Sequence, residues 1–573
     1  MATIQIFHGR PIIHPGVYVF VDVEAFESLP SEVFGKIAVV GEAIDGIPKE
    51  ITVWTDISKA KLHFRGGDLL EGLAILEDYS VNPPSVPPAY VIAVRVNQGQ
   101  RASLNVFNSY TIYSRFYSSE GNKIKVKVVA LNPVAGDIGS KVEVSVKYGS
   151  INETRQVGER LIKIENQTGG DIVVQITKTT FEITDVNNNT LLDINYDRDQ
   201  IRTLGELVNR INQVQGVVAS LLWFNADERI SVMNTGNATV PDSGERVIWN
   251  NVSEEIKFFS SIPVLAVEEG TREAHPDVQE TNLSGGASQS ATLGDWDEVI
   301  AKLEQIDVDF VIPLSTSDSV INKFIASTVR SNDIRKKAFR ELIVGIDTKN
   351  TYTTLSQIIS RVRAINNPRV RVVAQRILRF NSSGILSEFP EWALALEIAG
   401  IKGTEVGIPL TFKRPKVVDV VRNIDWGDLD IQEQLILGGV LAIEPTTDGW
   451  RIIKGITSYT GSDNLALRLD EAQTEIVFIS KTISKGLTPF IGRRNDAINL
   501  QLIRSSLIRL LEGLQNQRVI VSSLGRDGTV IPAFRNIKVE QEGDVIRISF
   551  ECTLSVGINF IFVDVYAFPP GVS

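Results

Sequence analysis

Strand and helix patterns alternate through residues 281–440, and this alternation constrains the fold more than any other feature of the sequence. Each of three helical patterns is followed by a run of apolar and β-branched residues, which predicts a buried strand. In chain order these are 295–305 and 308–314, 319–332 and 339–346, and 355–365 and 369–377. Strand–helix–strand units favour parallel strands with right-handed crossovers. We therefore predict an α/β domain on a largely parallel sheet.

The flanking regions have other patterns. Before residue 101, we predict a buried strand at 35–41, a short helix at 68–76 and another strand at 90–96. Residues 448–554 mix helices and strands, which predicts an α+β region.

Residues 101–268 are patterned mainly for strands. Residues 123–129 and 142–148 alternate polar and apolar side chains at period two, as half-exposed strands do. Asn187-Asn188-Asn189 marks a turn, and an amphipathic helix at 203–211 interrupts the strands. We predict a β-rich insertion that faces outward.

Both ends of the chain also have strand-like patterns. Residues 20–26 and 562–568 are rich in β-branched and aromatic side chains, and turn-forming residues flank each run. An apolar strand at a terminus needs a partner edge. That edge belongs either to the same subunit or to another copy of the chain, and the pattern leaves both alternatives open.

Composition restricts the classes of function. The net charge of −11 argues against nucleic-acid binding as the main activity. The single cysteine, Cys552, excludes an internal disulfide and is predicted to be a small buried apolar side chain. No run approaches about 18 apolar residues, so we expect no membrane insertion. Residues 1–10 lack a leader pattern, and we expect assembly in a reducing cytoplasm.

The sequence does not contain the common patterns of catalytic sites. The four histidines, His8, His14, His63 and His275, are predicted to lie on the surface without a role, since no Gly-x-Ser-x-Gly or His-Glu-x-x-His pattern occurs. We expect no enzymatic activity, no cofactor and no metal.

Two further segments have ordinary structural interpretations. The glycine-rich run at 284–288 has no following Lys-Ser or Lys-Thr, which favours a tight turn over a phosphate loop. Asp307 and Asp309 come at the start of a strand, where we expect solvated charges.

A helix at 496–516 is strongly amphipathic. Its apolar stripe consists of Leu500, Ile503, Leu507, Leu510, Leu511 and Leu514. The other side carries Gln501, Arg504, Ser505, Arg509 and Glu512. Upstream lie Lys481, Lys485, Arg493 and Arg494. This basic group is either a solvated surface or a contact for an acidic partner, and the sequence leaves both open.

An ordered series of short motifs resembles the sheath proteins of contractile bacteriophage tails, over most of the chain. The motifs lie at 15–19, 121–126, 283–286, 295–296, 399–400, 409–411, 437–440, 449–452, 455–458 and 490–493. They begin with Pro15-Gly16-Val17-Tyr18-Val19 and end with Phe490-Ile491-Gly492-Arg493 before the amphipathic helix. Each motif is weak alone, but their order is specific.

The resemblance implies a structural subunit that forms stacked hexameric rings around a tail tube and contracts to drive the tube through the host envelope for genome delivery. Implied partners are further copies of the chain, the tail tube protein, and baseplate and tail terminator proteins, without direct nucleic-acid contact. The implied location is the virion, with assembly in the bacterial host cytoplasm. The sheath of a phage-like injection particle (a tailocin) remains an alternative. A secreted subtilisin-like hydrolase or adhesin is disfavoured, because neither a leader nor a catalytic triad is recognised.

The resemblance also implies a division of the chain into six parts. These are an N-terminal arm (1–26), an N-terminal part of the core (27–100), a β-rich outer insertion (101–268), a non-catalytic subtilisin-like α/β domain (269–440), an α+β inner domain (441–555) and a C-terminal arm (556–573). The residues implied to exchange as strands between subunits are Val17, Tyr18, Val19, Phe20, Val21, Phe560, Phe562, Val563 and Val565. The residues implied to face the tube are Arg493, Arg494, Arg504 and Arg509.

Overall fold

The computed structural model describes residues 5–7, 10–12, 33–54, 56–81, 90–106, 110–256, 264–268, 277–333, 336, 338–525, 527–559 and 561. These residues form a mixed α and β structure whose buried apolar side chains gather into four clusters. The elements are given below in chain order.

The first part of the chain, up to residue 106, supplies strands and two helices. Its elements are β1 (Gln5–Phe7), β2 (Arg10–Ile12), β3 (Lys36–Gly41), β4 (Ile51–Trp54), α1 (Ile57–Phe64), α2 (Asp68–Val81), β5 (Tyr90–Arg95), β6 (Gly99–Gln100) and β7 (Ser103–Val106).

The next part, residues 110–282, consists mainly of strands. Its elements are β8 (Tyr110–Ser114), β9 (Lys125–Leu131), β10 (Lys141–Tyr148), β11 (Ile151–Val157), β12 (Arg160–Asn166), β13 (Ile172–Ile176), β14 (Thr180–Asp185), β15 (Thr190–Asn195), α3 (Leu204–Ile211), β16 (Val217–Leu221), β17 (Gly236–Val240), β18 (Glu245–Trp249), α4 (Val252–Ile256), β19 (Val264–Glu268) and β20 (Val278–Asn282), with short 3₁₀ turns at Ser119–Lys123 and Ile230–Val232.

Helices and strands then alternate to residue 452. The elements are β21 (Ala287–Ser288), α5 (Leu293–Leu303), β22 (Phe310–Pro313), α6 (Asp318–Ser331), β23 (Glu341–Gly345), α7 (Leu355–Ile365), β24 (Val370–Val373), β25 (Ile377–Phe380), β26 (Leu386–Phe389), α8 (Glu391–Lys402), β27 (Asp419–Val420), α9 (Leu429–Leu437), β28 (Ile443–Thr446) and β29 (Gly449–Ile452).

The last part carries the two longest C-terminal helices and a hairpin. Its elements are α10 (Leu465–Arg468), α11 (Asp470–Leu487), a 3₁₀ turn at Thr488–Phe490, α12 (Ala497–Asn516), β30 (Ser523–Leu524), β31 (Val530–Ile531), β32 (Phe534–Glu542) and β33 (Val545–Cys552).

A six-stranded sheet in the order β24-β23-β22-β3-β5-β4 forms the centre of the largest cluster. All its neighbouring pairs are parallel except β4 with β5. Every residue of β3, β22, β23 and β24 is buried, as expected for parallel strands covered on both faces. The predicted parallel sheet is confirmed, and the strands predicted at 35–41 and 90–96 lie within it.

Two predicted boundaries are wrong. The helix predicted at 68–76 continues to Val81. The strand predicted at 369–377 ends at Val373, and Ile377 begins β25 in a different sheet. The break has a physical reason: the buried Gln375 amide bonds both the N–H and the C=O of Ile443, at 2.7 Å each. The Gln375 side chain therefore makes the two hydrogen bonds to Ile443 that main-chain groups would make if β24 continued.

Helix α8 crosses the core and is buried at every residue. It packs against α2 and the strands β22, β23 and β24. Three charged residues on it are buried, and each has a partner because an unpaired buried charge is costly. Glu391 accepts from the Thr348 N–H at 2.7 Å, Glu397 pairs with Arg379 at 2.9 Å, and Lys402 pairs with Asp470 at 2.6 Å.

Two separate clusters lie within the strand-rich part. One is enclosed by the sheets β16-β12-β18 and β15-β14-β13-β17 with α3, whose predicted apolar face (Leu204, Leu207, Val208, Ile211) is buried. The other contains the inward valines of β9 and β10, which confirms the predicted period-two alternation. A turn at Asn187-Asn188-Asn189 joins β14 to β15 as predicted, with Asn188 at φ +61°.

The fourth cluster joins α11, α12 and the β32–β33 hairpin. The predicted stripe of α12 is confirmed: Ile503, Leu507, Leu510, Leu511 and Leu514 are buried, and Leu500 is half-buried. Asp496 caps this helix by accepting from the Asn499 N–H at 2.8 Å.

Two single-residue predictions are corrected. His63 is half-buried and does not lie freely on the surface; its ring packs on Trp54 and Phe64, with centroids 5.4 and 4.7 Å apart, and burial lowers its pKa. Cys552 is only half-buried, because the hairpin that carries it has two strands and limited cover. Its partial burial raises the thiol pKa, which agrees with an unreactive cysteine.

Candidate assembly surfaces

The residues predicted to exchange as strands lie outside the described residues. They are Val17, Tyr18, Val19, Phe20, Val21, Phe560, Phe562, Val563 and Val565. Their role therefore stays a prediction. The structure does describe the segment that leads to the C-terminal group.

The segment 553–559 is held by polar contacts to the inner part of the subunit. The Ser555 N–H donates to Glu475 Oε2 at 3.0 Å, and the Gly557 backbone bonds Glu471. Glu471 and Glu475 are one turn apart on α11, so their carboxyl groups lie on one face of the helix. They bond Gly557 and Ser555, which are alternate residues of an extended segment. These contacts fix the root of the C-terminal arm, at Ser555 and Gly557, to α11.

The two glutamates at this root have perturbed acidity. Both are buried, and burial raises the pKa of Glu475 to about 9 and also raises the pKa of Glu471. The proximity of Glu471 raises the pKa of Glu475 further, while the Ser555 hydrogen bond opposes the change. At neutral pH, Glu475 is therefore protonated. After the Ser555 and Gly557 contacts, the side chains of Ile558 and Ile561 are about four-fifths exposed, at 81% and 79%.

The β32–β33 hairpin has edges that can accept further strands. Its strands pair antiparallel from Glu542↔Val545 to Phe534↔Cys552, with an irregularity between Arg535 and Lys538. Within the described residues the sheet has these two strands only. A two-stranded ribbon is marginal alone and gains stability from added strands. Both outer edges therefore offer main-chain N–H and C=O groups to another segment.

The four arginines predicted to face the tube are all exposed. Arg504 and Arg509 lie on α12, outside its buried stripe, while Arg493 and Arg494 precede the helix. Arg493 Nε donates to the Pro489 carbonyl at 3.2 Å, and its guanidinium lies 5.1 Å from the Phe490 ring centroid. The exposure permits a contact with a partner, and the structure describes the subunit without one.

Lys481 does not belong to this exposed basic group. It is buried, and its Nζ lies 2.6 Å from Asp309 Oδ1 and 2.7 Å from Asp307 Oδ1. Asp309 is likewise buried, so the prediction that it is solvated is wrong. Its other oxygen accepts from the N–H groups of Gly35 and Lys36, at 3.0 Å each. Asp307 also pairs with Lys36.

A second buried network lies at the same end of the sheet. Arg371 bonds Glu341 at 2.7 Å and Asp470 at 2.5 Å, and Lys402 bonds Asp470 at 2.6 Å. Burial alone would raise the pKa of Asp470, but the charges of Lys402 and Arg371 outweigh burial and lower it. Together the two networks tie α11 to the amino ends of the parallel strands, because Lys36, Asp309 and Glu341 all lie there.

The opposite, carboxyl end of the parallel strands is where α/β proteins usually bind ligands. Here it forms an open cavity of about 780 Å³, whose lining includes Glu42, Asp68, Ser315, Asp318 and Asp347. The described lining contains no histidine, and no serine there has the base partner of a catalytic triad.

Within the described part of the chain, no three His, Cys, Asp or Glu side chains are grouped to hold a metal ion. No helix among the same residues is long and apolar enough to cross a membrane.

Known proteins similar to this chain carry one common description. No protein-family model matches the sequence. The tail sheath protein of Bacillus phage SP01 is 23% identical over 576 residues, covering 97% of this chain and 96% of that protein. The tail sheath protein of Staphylococcus phage Twort is 22% identical over 502 residues, covering 79% and 81%. The resemblance of the chain to phage tail sheath proteins is thereby confirmed, at 22–23% identity over most of its length.

Solved sheath structures show the same fold. The sheath tail protein of Desulfitobacterium hafniense superposes with a TM-score of 0.52 at 13% identity, covering 94% of this chain and 99% of that one. The sheath tail protein of Listeria innocua gives a TM-score of 0.50 at 13% identity, covering 93% and 98%. The mixed α and β, multidomain architecture of the chain therefore matches that of solved sheath proteins.

Sequence reasoning missed the buried charges that link distant parts of the chain. Two signals were present. Arg371 interrupts the apolar run of β24, and Asp307 and Asp309 precede the apolar strand β22. A charge within a buried strand needs a partner, but the partners Asp470 and Lys481 are distant in sequence, so the pattern did not identify them.

Proposed function

We propose that this chain is the structural subunit of a contractile tail sheath, which polymerises as stacked hexameric rings around the tail tube. Contraction of the polymer drives the tube through the host envelope for genome delivery. In this proposal the parallel core is a non-catalytic, subtilisin-like domain. The sheath relatives are structural proteins by name.

One observation supports polymerisation by strand exchange above all others. The C-terminal segment leaves its root with exposed apolar side chains, Ile558 and Ile561, while β32–β33 has unpaired outer edges within the described residues. A segment that leaves one subunit can complete an edge on another, with main-chain hydrogen bonds as the link. The arm residues Val17–Val21 and Phe560–Val565 are the proposed donors.

The proposed partners follow from the same assembly. Copies of the chain contact one another through the arms, and the tail tube contacts Arg493, Arg494, Arg504 and Arg509. Baseplate and tail terminator proteins contact the ends of the polymer. The proposed location is the virion tail, after assembly in the host cytoplasm.

Truncation of the arms tests the proposal. Deleting residues 1–23, or residues 558–573, should leave a folded subunit that does not polymerise, because the exchanged strands are not part of the subunit's own core. Deleting only residues 571–573, which follow the apolar run, is the matched control and should leave polymers intact. Sedimentation and negative-stain microscopy give the readout. Long polymers from either larger truncation would contradict strand exchange.

A further inference from the structure

One side of the segment 555–559 faces the subunit, and the other side faces solvent. The residues that face the subunit are half-buried, and they are Ser555, Gly557 and Asn559. The residues between them are exposed, and they are Val556 and Ile558. Such alternation is typical of an extended chain that lies along a surface. The segment at the root of the C-terminal arm therefore docks on the subunit through every second residue.

The loop 407–411 contacts this segment on one side. The Thr411 hydroxyl donates to Asn559 Oδ1 at 2.8 Å. A Cβ atom added to Gly557 would lie only 2.7 Å from Pro409 Cβ. A larger residue at position 557 would therefore push the segment away from the loop, so the two are in direct contact.

Helix α11 contacts the segment on the other side, through Glu471 and Glu475. Both glutamates are only 1% exposed. The loop also covers Glu475, since a Cβ atom added to Gly407 would lie 2.5 Å from its Oε1. Glu471 Oε2 and Glu475 Oε1 have no hydrogen-bond partner among the residues that the structure describes. A buried carboxyl group with an unpartnered oxygen is far less costly as a neutral acid than as an ion, so the docked segment favours protonation.

The acidic groups around this site also favour protonation. After burial, the proximity of Glu471 raises the pKa of Glu475, and the proximity of Asp470 raises the pKa of Glu471. The thiol of Cys552, on β33, also interacts with Glu475, and its own pKa is raised. Negative charge on any of these groups therefore opposes ionisation of the others.

The cations near this site act on Glu471. Lys402 lowers the pKa of Glu471 but pairs with Asp470, at 2.6 Å. Burial lowers the pKa of Lys454, and the proximity of Glu471 opposes that change. The pKa of Glu475 is governed by burial, by the Ser555 hydrogen bond and by Glu471. Glu475 is thus the carboxyl group whose ionisation most disturbs the docked segment.

We infer that the segment 555–559 is a proton-dependent latch on the C-terminal arm, docked while the two α11 carboxyl groups are neutral and detached when they ionise. Detachment brings water to both carboxyl groups, which stabilises their charged forms. Release begins after Thr553, because its N–H and C=O are bonded to Ala533 and Val521, at 2.9 Å each. For its role in assembly, the latch rests on the proposed strand exchange: it controls whether the arm leaves the subunit from a fixed position.

The direction of the pH effect follows from the two states. Docking raises the pKa of Glu475 to about 9, from its usual value of 4.5. The docked state therefore binds the proton more tightly than the detached state. Docking is strongest below pH 4.5 and weakens as the pH rises toward 9. Within this range, one carboxyl group changes the docking equilibrium by up to about tenfold for each pH unit.

Hydrogen exchange of the full-length, unassembled chain measures the latch, after correction for the intrinsic pH dependence of amide exchange. In wild type, we expect the protection of residues 555–559 to fall at least about tenfold from pH 6 to pH 8, while β23 keeps its protection. In Glu471→Gln with Glu475→Gln, both side chains are neutral at every pH, so protection should stay within about twofold. Glu512→Gln, an exposed carboxyl-to-amide change on α12, is the matched control and should behave as wild type.

Level protection of residues 555–559 in wild type from pH 6 to pH 8 would overturn the latch, and this outcome requires no variant to fold. An equal loss of protection in β23 would also overturn it, since the whole subunit would then be unfolding.

Sedimentation at pH 6 separates the latch from the proposed function. If wild type forms polymers but the segment does not respond to pH, the latch is wrong while the sheath function stands. If the segment responds as expected but wild type forms no polymer at any pH, the latch stands and the proposed assembly fails.

Discussion

Lys481 on α11 and Asp309 before β22 form a buried ion pair, with Nζ 2.6 Å from Oδ1. They are 172 residues apart in sequence. Asp309 also accepts two main-chain hydrogen bonds at the start of β3. One carboxylate before β22 therefore connects helix α11 with strand β3. The pair links regions that the domain division assigns to different parts of the chain.

Replacing Lys481 with methionine should destabilise the unassembled subunit by about 3–5 kcal/mol, because Asp309 would remain buried without its cation. Urea denaturation of the subunit measures the loss. Lys485→Met, at an exposed position of the same helix, is the control and should change stability by less than about 1 kcal/mol. Equal effects of the two substitutions would mean that the ion pair contributes nothing specific.

Glu475→Gln should change the pH dependence of stability. The folded state raises the pKa of Glu475 to about 9, from a usual value of 4.5, so the folded state binds the proton more tightly than the unfolded one. The resulting stability is complete below pH 4.5 and is lost as the pH rises toward 9. Glutamine carries no such charge and still accepts from the Ser555 N–H. Wild type loses about 1.4 kcal/mol for each pH unit above 4.5, so we expect the variant to be more stable than wild type at pH 8 by up to about 5 kcal/mol.

This difference should vanish near pH 4, where both proteins present a neutral side chain. Parallel stability curves for the two proteins from pH 4 to pH 9 would show that Glu475 is not perturbed. Asp430→Asn, at an exposed site on α9, serves as the matched carboxyl-to-amide control and should leave the curve unchanged.

Reversing Arg504 and Arg509 to glutamate should weaken assembly on tail tubes and leave the subunit folded. The buried stripe of α12 fixes which side faces outward, and these two arginines lie outside the stripe. Exposed ion pairs contribute only about 0–1 kcal/mol each, but the contact repeats along a tail. Raised salt should weaken wild-type assembly in the same direction. Co-sedimentation with purified tubes measures binding.

The control for the tube contact is Glu512→Lys on the same helix, which should not weaken binding to an acidic tube. If the Arg504 and Arg509 variant binds tubes as well as wild type at low salt, this surface is a solvated helix face. Reversal of Arg493 and Arg494 would then be the remaining test of the predicted tube-facing group.

Short tags inserted after Asn188 or after Asp242 should be tolerated. Asn188 lies in an exposed turn between β14 and β15, and Asp242 lies in the turn between β17 and β18. Added residues in such turns cost little entropy, and we expect this region to face outward. Polymer formation by negative-stain microscopy is the measurement. Failure of both insertions, with the subunit folded, would indicate that this region lies at an interface.

The sequence by itself determined the elements whose signals are local. Alternating patterns predicted the helix that the structure places at Leu355–Ile365 and the amphipathic α12, because a buried face imposes its period on neighbouring residues. The resemblance to sheath proteins also came from local motifs in a fixed order, and the similar phage proteins confirm it.

Only the tertiary structure decided which distant segments share one core. Strands β3, β4 and β5 join β22, β23 and β24 in a single sheet, although the whole strand-rich part lies between them in sequence. It also decided that Asp309 and Lys481 are buried together. The periodicity of apolar residues in the sequence indicates that a side chain is buried. It does not identify the residues that pack against that side chain, because long-range packing and charge pairing have no local signal.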